Sequence, residues 1–195
     1  MHKRISYSRQ TILKKDISSV SKILNSDFIT RGPINKKFED KIKNYVKSKF
    51  CITTNSATSS LYISCKALDL KKGDVVWTSA NSFASSANCA LLCGGKVDFI
   101  DIDLKNYNLS IQDLENKLKL AKKNHQLPKI IIAVHYAGYP CDMEKLFKLK
   151  KKYKFKIIED ASHSLGAKFL NNKVGNCKYG DITVLSFHPV KIITT

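Results

Sequence analysis

Apolar positions in the first part of the chain recur at the spacing of an amphipathic helix. Between about residues 11 and 26 they are Ile12, Leu13, Ile17, Val20, Ile23 and Leu24, which share one face of a helix. Gly32-Pro33 then ends any helix, and a second helix is predicted over residues 34–47. We expect an N-terminal helical segment, residues 1–33, followed by a larger domain over residues 34–195.

From about residue 50 onward, short apolar runs alternate with helix-like segments. The runs lack a clean alternation of apolar and polar residues, as expected for strands covered by helices on both faces. Strands are predicted over residues 50–54, 75–78, 96–100, 130–135, 156–159 and 182–186. Helices are predicted over residues 57–68, 83–93, 111–122 and 143–153. This repetition favours an α/β three-layer sandwich with a largely parallel sheet.

Polar residues follow most of the predicted strands directly. Ligands of such sheets gather beyond the carboxyl ends of the strands. We therefore expect the following segments to converge on one pocket: residues 55–58, 79–82, 135–136, 160–163 and 186–191.

Three of these segments contain residues with distinctive chemistry. Residues 56–58 lie between a strand and a helix, where free N–H groups and the helix dipole favour an anion, although a simple N-cap by Ser56 fits the same position. Asp160 ends an apolar strand, so it either projects a carboxylate into the pocket or caps the following turn. Lys191 is either an ordinary surface lysine or a reactive amine.

The composition argues against a membrane protein, a secreted protein and a metal-binding protein. The chain has 195 residues and 43% hydrophobic residues, and it has no apolar stretch near the roughly 20 residues that span a membrane. No apolar run follows the basic N-terminus, so a secretory signal is not predicted and we expect a cytoplasmic protein. The spacing of Cys89 and Cys93 offers a metal two ligands, but buried thiols are the favoured interpretation of the six cysteines. No metal is expected.

The net charge of +18 raises the question of nucleic-acid binding. Proteins that read phosphates and bases rely on arginine, whose planar group binds in a bidentate way. Here the basic residues are almost all lysines, and the only arginines are Arg4, Arg9 and Arg31. The charge therefore indicates a lysine-rich surface, and no nucleic-acid partner is expected.

Five motifs occur in order along the chain. They are Thr30-Arg31-Gly32-Pro33, Asn55-Ser56-Ala57-Thr58, Val134-His135-Tyr136-Ala137-Gly138, the nine residues Glu159 to Ala167, and Ser186-Phe187-His188-Pro189-Val190-Lys191. Together they resemble the DegT/StrS family of PLP-dependent sugar aminotransferases. The third and the fifth are most similar to those of the transaminases of pseudaminic acid synthesis. The resemblance implies the large domain of the fold type I PLP-dependent transferases, with pyridoxal 5'-phosphate (PLP) as cofactor.

The resemblance implies two catalytic residues. Lys191 would form the Schiff base with PLP and, once the amino donor displaces it, act as a general base. Asp160 would pair with the protonated pyridine nitrogen, which keeps the ring an electron sink.

The resemblance also implies how the cofactor is held. Ser56, Ala57 and Thr58 would bind the phosphate at the start of a helix, and Ser186 would add a hydroxyl group.

Aromatic and histidine residues complete the implied site. Phe83 would stack on the cofactor ring, with a core phenylalanine as the alternative. His163 would lie beside the phenolic oxygen, with an ordinary structural histidine as the alternative. His135 and His188 either shape the pocket or support it from behind.

The implied reaction moves an amino group, commonly from glutamate, to the 4-keto carbon of a UDP-linked deoxysugar for surface-glycan synthesis. Family members continue beyond the lysine with a smaller C-terminal domain and form homodimers. We therefore expect the 195 residues to be inactive alone, as part of a split or incomplete gene or a remnant. The alternative is a catalytically silent protein of the same fold with a binding or regulatory role, although Lys191 and Asp160 are both present.

Overall fold

A parallel five-stranded sheet forms the centre of the fold in the computed structural model, which describes residues 5–6 and 8–195. The strands are β1 Val75–Ser79, β2 Lys96–Ile100, β3 Ile130–Val134, β4 Lys156–Asp160, β5 Lys168–Phe169, β6 Asn172–Lys173 and β7 Ile182–Val184. In the central sheet they lie in the order β2-β1-β3-β4-β7, and every neighbouring pair is parallel. Strands β5 and β6 form a small antiparallel hairpin.

Helices connect the strands, and several begin at a side-chain cap. Ser56, Ser110 and Asp142 each accept a backbone N–H from the first turn of the helix that follows, which satisfies one of its free donors. Within the described residues, no helix is both long enough and apolar enough to span a bilayer. The helices are α1 Lys14–Leu24, α2 Pro33–Val46, α3 Ala57–Ala67, α4 Ser85–Leu92, α5 Ile111–Lys123 and α6 Met143–Tyr153.

Alternate residues of the strands supply two separate apolar layers. On one face of the sheet, Trp77 and Ile131 pack with the buried leucines of α5 and α6. On the other face, Val76, Ile130 and Ile158 pack with α3 and α4. Because both faces are covered, the strands are apolar on both sides. The predicted three-layer α/β sandwich is therefore confirmed.

Most predicted elements are confirmed to within a few residues, but the strand predicted over residues 50–54 is wrong. Phe50 and Ile52 are 73% and 81% exposed. The N–H of Thr53 donates to Glu39 Oε1 of α2 at 2.8 Å instead of to a neighbouring strand. The strand predicted over residues 182–186 ends earlier, at Val184.

The first helix forms as predicted, but its apolar side is not covered. Asp16 Oδ2 accepts the N–H of Leu13 at 2.8 Å, which begins α1. Ile17, Val20 and Leu24 are each more than half exposed. Residues 1–4 and 7 of the predicted N-terminal segment lie outside the described residues. The division into residues 1–33 and 34–195 stays a prediction.

Candidate active site

Lys191 and His163 are in direct contact beyond the carboxyl ends of the strands. Lys191 Nζ lies 2.6 Å from His163 Nε2. Burial and the positive charge of Lys191 lower the pKa of His163 below its ordinary value of 6.5, and the charge of Asp160 opposes them only in part. A neutral imidazole follows, whose Nε2 accepts a hydrogen bond from the lysine ammonium.

Asp160 is the last residue of β4 and is 5% exposed. Its Oδ2 accepts the hydroxyl of Ser86 at 2.6 Å. Its Oδ1 accepts both the hydroxyl of Ser162 at 2.6 Å and the N–H of Ser162 at 3.2 Å. These donors fix the orientation of the carboxylate. The carboxylate is therefore fixed at a strand end, where the sequence predicted it.

The start of α3 provides donors for an anion. Ser56 Oγ accepts the N–H of Ser59 at 3.2 Å, so the expected N-cap is present. The N–H groups of Ala57 and Thr58 lie in the first turn, where a helix offers them no acceptor. Thr58 Oγ1 lies 2.8 Å from Ser85 Oγ, which joins α3 to the first turn of α4.

Three further predicted residues lie near these elements, and in the described part of the chain their side chains make no hydrogen bond to Lys191, His163 or Asp160. Phe83 precedes α4 and is 74% exposed, so it is not a core phenylalanine. Ser186 is half-buried, and its Oγ accepts the N–H of His188 at 3.4 Å. His188 is exposed and accepts the N–H of Val190 through Nδ1 at 3.5 Å. The two last residues stabilise the turn that leads to Lys191.

His135 supports the site from behind. It is 2% exposed, and its Nε2 lies 3.1 Å from Glu159 Oε2. The N–H of Cys141 donates to Nδ1 at 3.3 Å, so the ring proton lies on Nε2 and is donated to Glu159. Three residues further on, Gly138 has a φ of +88°, and a Cβ there would lie 2.6 Å from the carbonyl oxygen of His163. The turn after β3 therefore packs directly on the backbone of His163.

Ser85 and Ser86 contact the site residues but were not among those predicted from the sequence. Ser86 is completely buried and Ser85 is 8% exposed. They join the start of α3 to Asp160, and the turn after β4 continues the connection to His163 and Lys191. The available signal was two adjacent serines in the first turn of a helix that follows a strand. Among the described residues, no group of three or more Cys, His, Asp or Glu side chains is placed to hold a metal.

The arrangement combines an amine, a neutral imidazole, a fixed carboxylate and a helix start with free N–H groups. Residues 10–195 match the DegT/DnrJ/EryC1/StrS aminotransferase family. The chain belongs to this family. The DegT/DnrJ/EryC1/StrS match includes every element that forms the site.

Individual aminotransferases are similar to this chain in sequence and in structure. The UDP-4-amino-4,6-dideoxy-N-acetyl-beta-L-altrosamine transaminase of Campylobacter jejuni (serotype O:2) is 38% identical over 191 residues, which are 98% of this chain and 49% of that protein. Helicobacter pylori PseC, an aminotransferase involved in the biosynthesis of pseudoaminic acid, has a TM-score of 0.89 at 31% identity, covering 98% of this chain and 50% of PseC.

A third relative was solved with its cofactor. The putative sugar aminotransferase Spr1654 of Streptococcus pneumoniae, in its PLP form, has a TM-score of 0.87 at 27% identity and covers 97% of this chain and 50% of that chain. The fold is therefore that of the sugar aminotransferases. The chain spans about half the length of the curated relatives it matches.

Proposed function

We propose that this protein is a PLP-dependent sugar aminotransferase. The observation that carries the proposal is the 2.6 Å contact between Lys191 Nζ and His163 Nε2. His163 follows Asp160, whose carboxylate is held in place by hydrogen bonds, by three residues. Family membership and the PLP form of a structural relative support the choice of cofactor. When bound, PLP supplies an electron sink for negative charge that develops on a substrate carbon.

The residues present fit this cofactor. Lys191 provides the amine that would bond to its aldehyde carbon, Asp160 the negative charge for its ring N–H, and the start of α3 the N–H groups for its phosphate. His163 accepts a hydrogen bond from the Lys191 ammonium. This contact holds Lys191 Nζ beyond the strand ends, where the amine can act as a nucleophile. Once free, the same amine can move a proton at the substrate carbon.

The substrates follow from the family and from the names of relatives. We assign glutamate as amino donor and a UDP-linked 4-keto-deoxysugar as acceptor, as in the resemblance to the pseudaminic acid transaminases. The product would enter surface-glycan synthesis in the cytoplasm, with a homodimer as the complete active assembly. Because the chain spans about half the length of its relatives, we expect the 195 residues tested alone to bind PLP weakly and to transfer little amine.

Selective labelling of Lys191 tests the cofactor site without relying on turnover. The chain would be incubated with a series of PLP concentrations, reduced with borohydride and mapped by peptide mass spectrometry. Reduction makes the bond between PLP and an amine permanent, so the labelled lysine can be identified. Lys191 should be labelled at lower PLP concentrations than the exposed lysines. Lys178→Ala is the matched control, because Lys178 is exposed and lies in the preceding loop.

The outcome separates a built site from general amine reactivity. Preferential labelling that Lys191→Ala removes and Lys178→Ala retains supports the proposal. Labels distributed over the surface lysines, with Lys191 no more reactive than Lys178, would exclude it. For the reaction itself, repeated turnover of glutamate to 2-oxoglutarate should require both PLP and a UDP-linked 4-keto sugar, and the 195 residues alone should show little of it.

A further inference from the structure

Two adjacent serines in the first turn of α4 direct their hydroxyl groups away from their own helix. Ala84 precedes α4 in a helical conformation, and no side chain caps the helix. Serine is favoured at a helix start chiefly because it caps the free N–H groups. Ser85 and Ser86 do not serve this purpose, yet both are buried. Their partners, Thr58 and Asp160, lie on two other elements of the site.

The hydrogen bonds of Asp160 leave one acceptor position free. A carboxylate oxygen has about two lone-pair positions. Oδ1 uses both for the hydroxyl and the N–H of Ser162. Among the described residues, Oδ2 accepts a hydrogen bond from Ser86 alone, at 2.6 Å. The remaining position is therefore on Oδ2, and the Ser86 hydroxyl sets its direction.

Ser85 acts in the same way at the other end of the cluster. Its Oγ lies 2.8 Å from Thr58 Oγ1, in the first turn of α3. Thr58 belongs to the group of residues proposed above to hold the phosphate. One turn of α4 therefore contacts the expected phosphate end of the site through Ser85 and the expected ring-nitrogen end through Ser86.

We infer that Ser86 is a positioning residue, which orients Asp160 Oδ2 toward the ring nitrogen of the cofactor, while Ser85 orients Thr58 toward the phosphate. This inference rests on the proposed function. It predicts that the two serines act on different parts of the ligand, Ser86 on the ring nitrogen and Ser85 on the phosphate. Loss of the Ser86 hydroxyl should matter only for a ligand that carries the ring nitrogen, and loss of the Ser85 hydroxyl should matter for any ligand that carries the phosphate.

A comparison of PLP with its deaza analogue, in which a C–H group replaces the ring nitrogen, tests this. Binding would be measured by equilibrium dialysis on the full chain carrying Lys191→Ala, so that only non-covalent binding is observed. Ser86→Ala should weaken PLP binding about three- to tenfold, the usual net worth of one hydrogen bond, and leave the affinity for the analogue unchanged. Ser86→Thr keeps the hydroxyl and should restore PLP binding. Ser85→Ala, the matched control, should weaken both ligands by the same factor.

Each other outcome has a defined meaning. If Ser86→Ala weakens PLP and the analogue equally, and Ser86→Thr does not restore the difference, Ser86 has a structural role only and the inference is wrong. If the chain with Ser86 intact does not prefer PLP to the analogue, the proposed role of Asp160 fails and the inference fails with it. If neither ligand binds even at concentrations high enough to detect the weak binding expected of the 195 residues alone, the proposed cofactor site itself is wrong. Circular dichroism of Ser86→Ala and Ser86→Thr identifies any loss of folding.

Discussion

Glu159 and Asp160 are adjacent residues on β4, and both are 5% exposed. Their carboxylates have different hydrogen-bond partners on the two faces of the strand. The Glu159 carboxylate accepts the ring N–H of His135, and Gly180 packs so closely that a Cβ there would clash with Glu159 Oε1. Asp160, on the other face of the strand, is held by small hydroxyl groups that leave an acceptor position unused. One strand end therefore carries both a carboxylate enclosed by its neighbours and a carboxylate with an acceptor position still available.

The largest expected effect distinguishes these two residues directly. Glu159→Ala leaves the buried N–H of His135 without an acceptor and opens a cavity, so it should lower the free energy of unfolding by about 3 kcal/mol. Glu159→Gln, which can still accept from His135, should cost only about 1 kcal/mol. Urea unfolding followed by circular dichroism measures both.

Asp160→Asn should behave in the opposite way. It keeps the volume and most hydrogen bonds, so we expect less than about 1 kcal/mol of destabilisation but at least a tenfold loss of PLP affinity, since a charged acceptor is lost. Equal effects of Asp160→Asn and Glu159→Gln on PLP binding would remove the distinction between the two carboxylates.

Gly138 tests how the turn after β3 positions His163. Gly138→Ala should cost about 2 kcal/mol, because φ is +88° and the added Cβ would meet the His163 carbonyl oxygen at 2.6 Å. The displaced turn should also weaken PLP binding, since His163 contacts Lys191. Gly73→Ala is the matched control: it has a φ of +90° but open space around its Cβ. It should lower stability through backbone strain alone and leave PLP affinity unchanged.

The sequence was sufficient for the layers and, to within two residues, for the ends of the central strands, because burial on both faces produces uninterrupted apolar strands such as β3 and β4. It also predicted the position of Asp160 at the end of β4 and that of Lys191 close to His163, while their roles toward a cofactor stay predictions. Ser86 could not be predicted in the same way. Its partner is 74 residues away along the chain, and serine at a helix start is ordinarily a cap.

The failure of the strand predicted over residues 50–54 has a related cause. The segment has the apolar and β-branched composition of a strand, but strand formation depends on a neighbouring backbone. In the described residues, the N–H of Thr53 bonds to the side chain of Glu39. Composition does not reveal such a long-range competitor.

The pH dependence of stability tests whether His163 titrates differently in the folded and the unfolded protein. Because the pKa of His163 is lowered on folding, the unfolded chain binds a proton more readily. The contribution of this residue is complete above pH 6.5 and is lost as the pH falls from 6.5 toward the lowered folded value. His163→Gln should therefore reduce the difference in Tm between pH 7.5 and pH 5.5. An unchanged difference would show that His163 does not titrate differently in the folded protein.

The smallest expected effect comes from a comparison of two buried serines, Ser164 and Ser86. Ser164 is 1% exposed, and in the described part of the chain its Oγ is the buried side-chain polar atom without a hydrogen-bond partner. Ser86 is equally buried, but its hydroxyl donates to Asp160. An unsatisfied hydroxyl costs free energy that a methyl group does not, so Ser164→Ala should raise the free energy of unfolding by up to about 1 kcal/mol, whereas Ser86→Ala should lower it by about the same amount. Thermal unfolding of the two variants under identical conditions measures the difference. If Ser164→Ala is as destabilising as Ser86→Ala, the Ser164 hydroxyl has a hydrogen-bond partner in the folded protein, and the two serines do not differ in this respect.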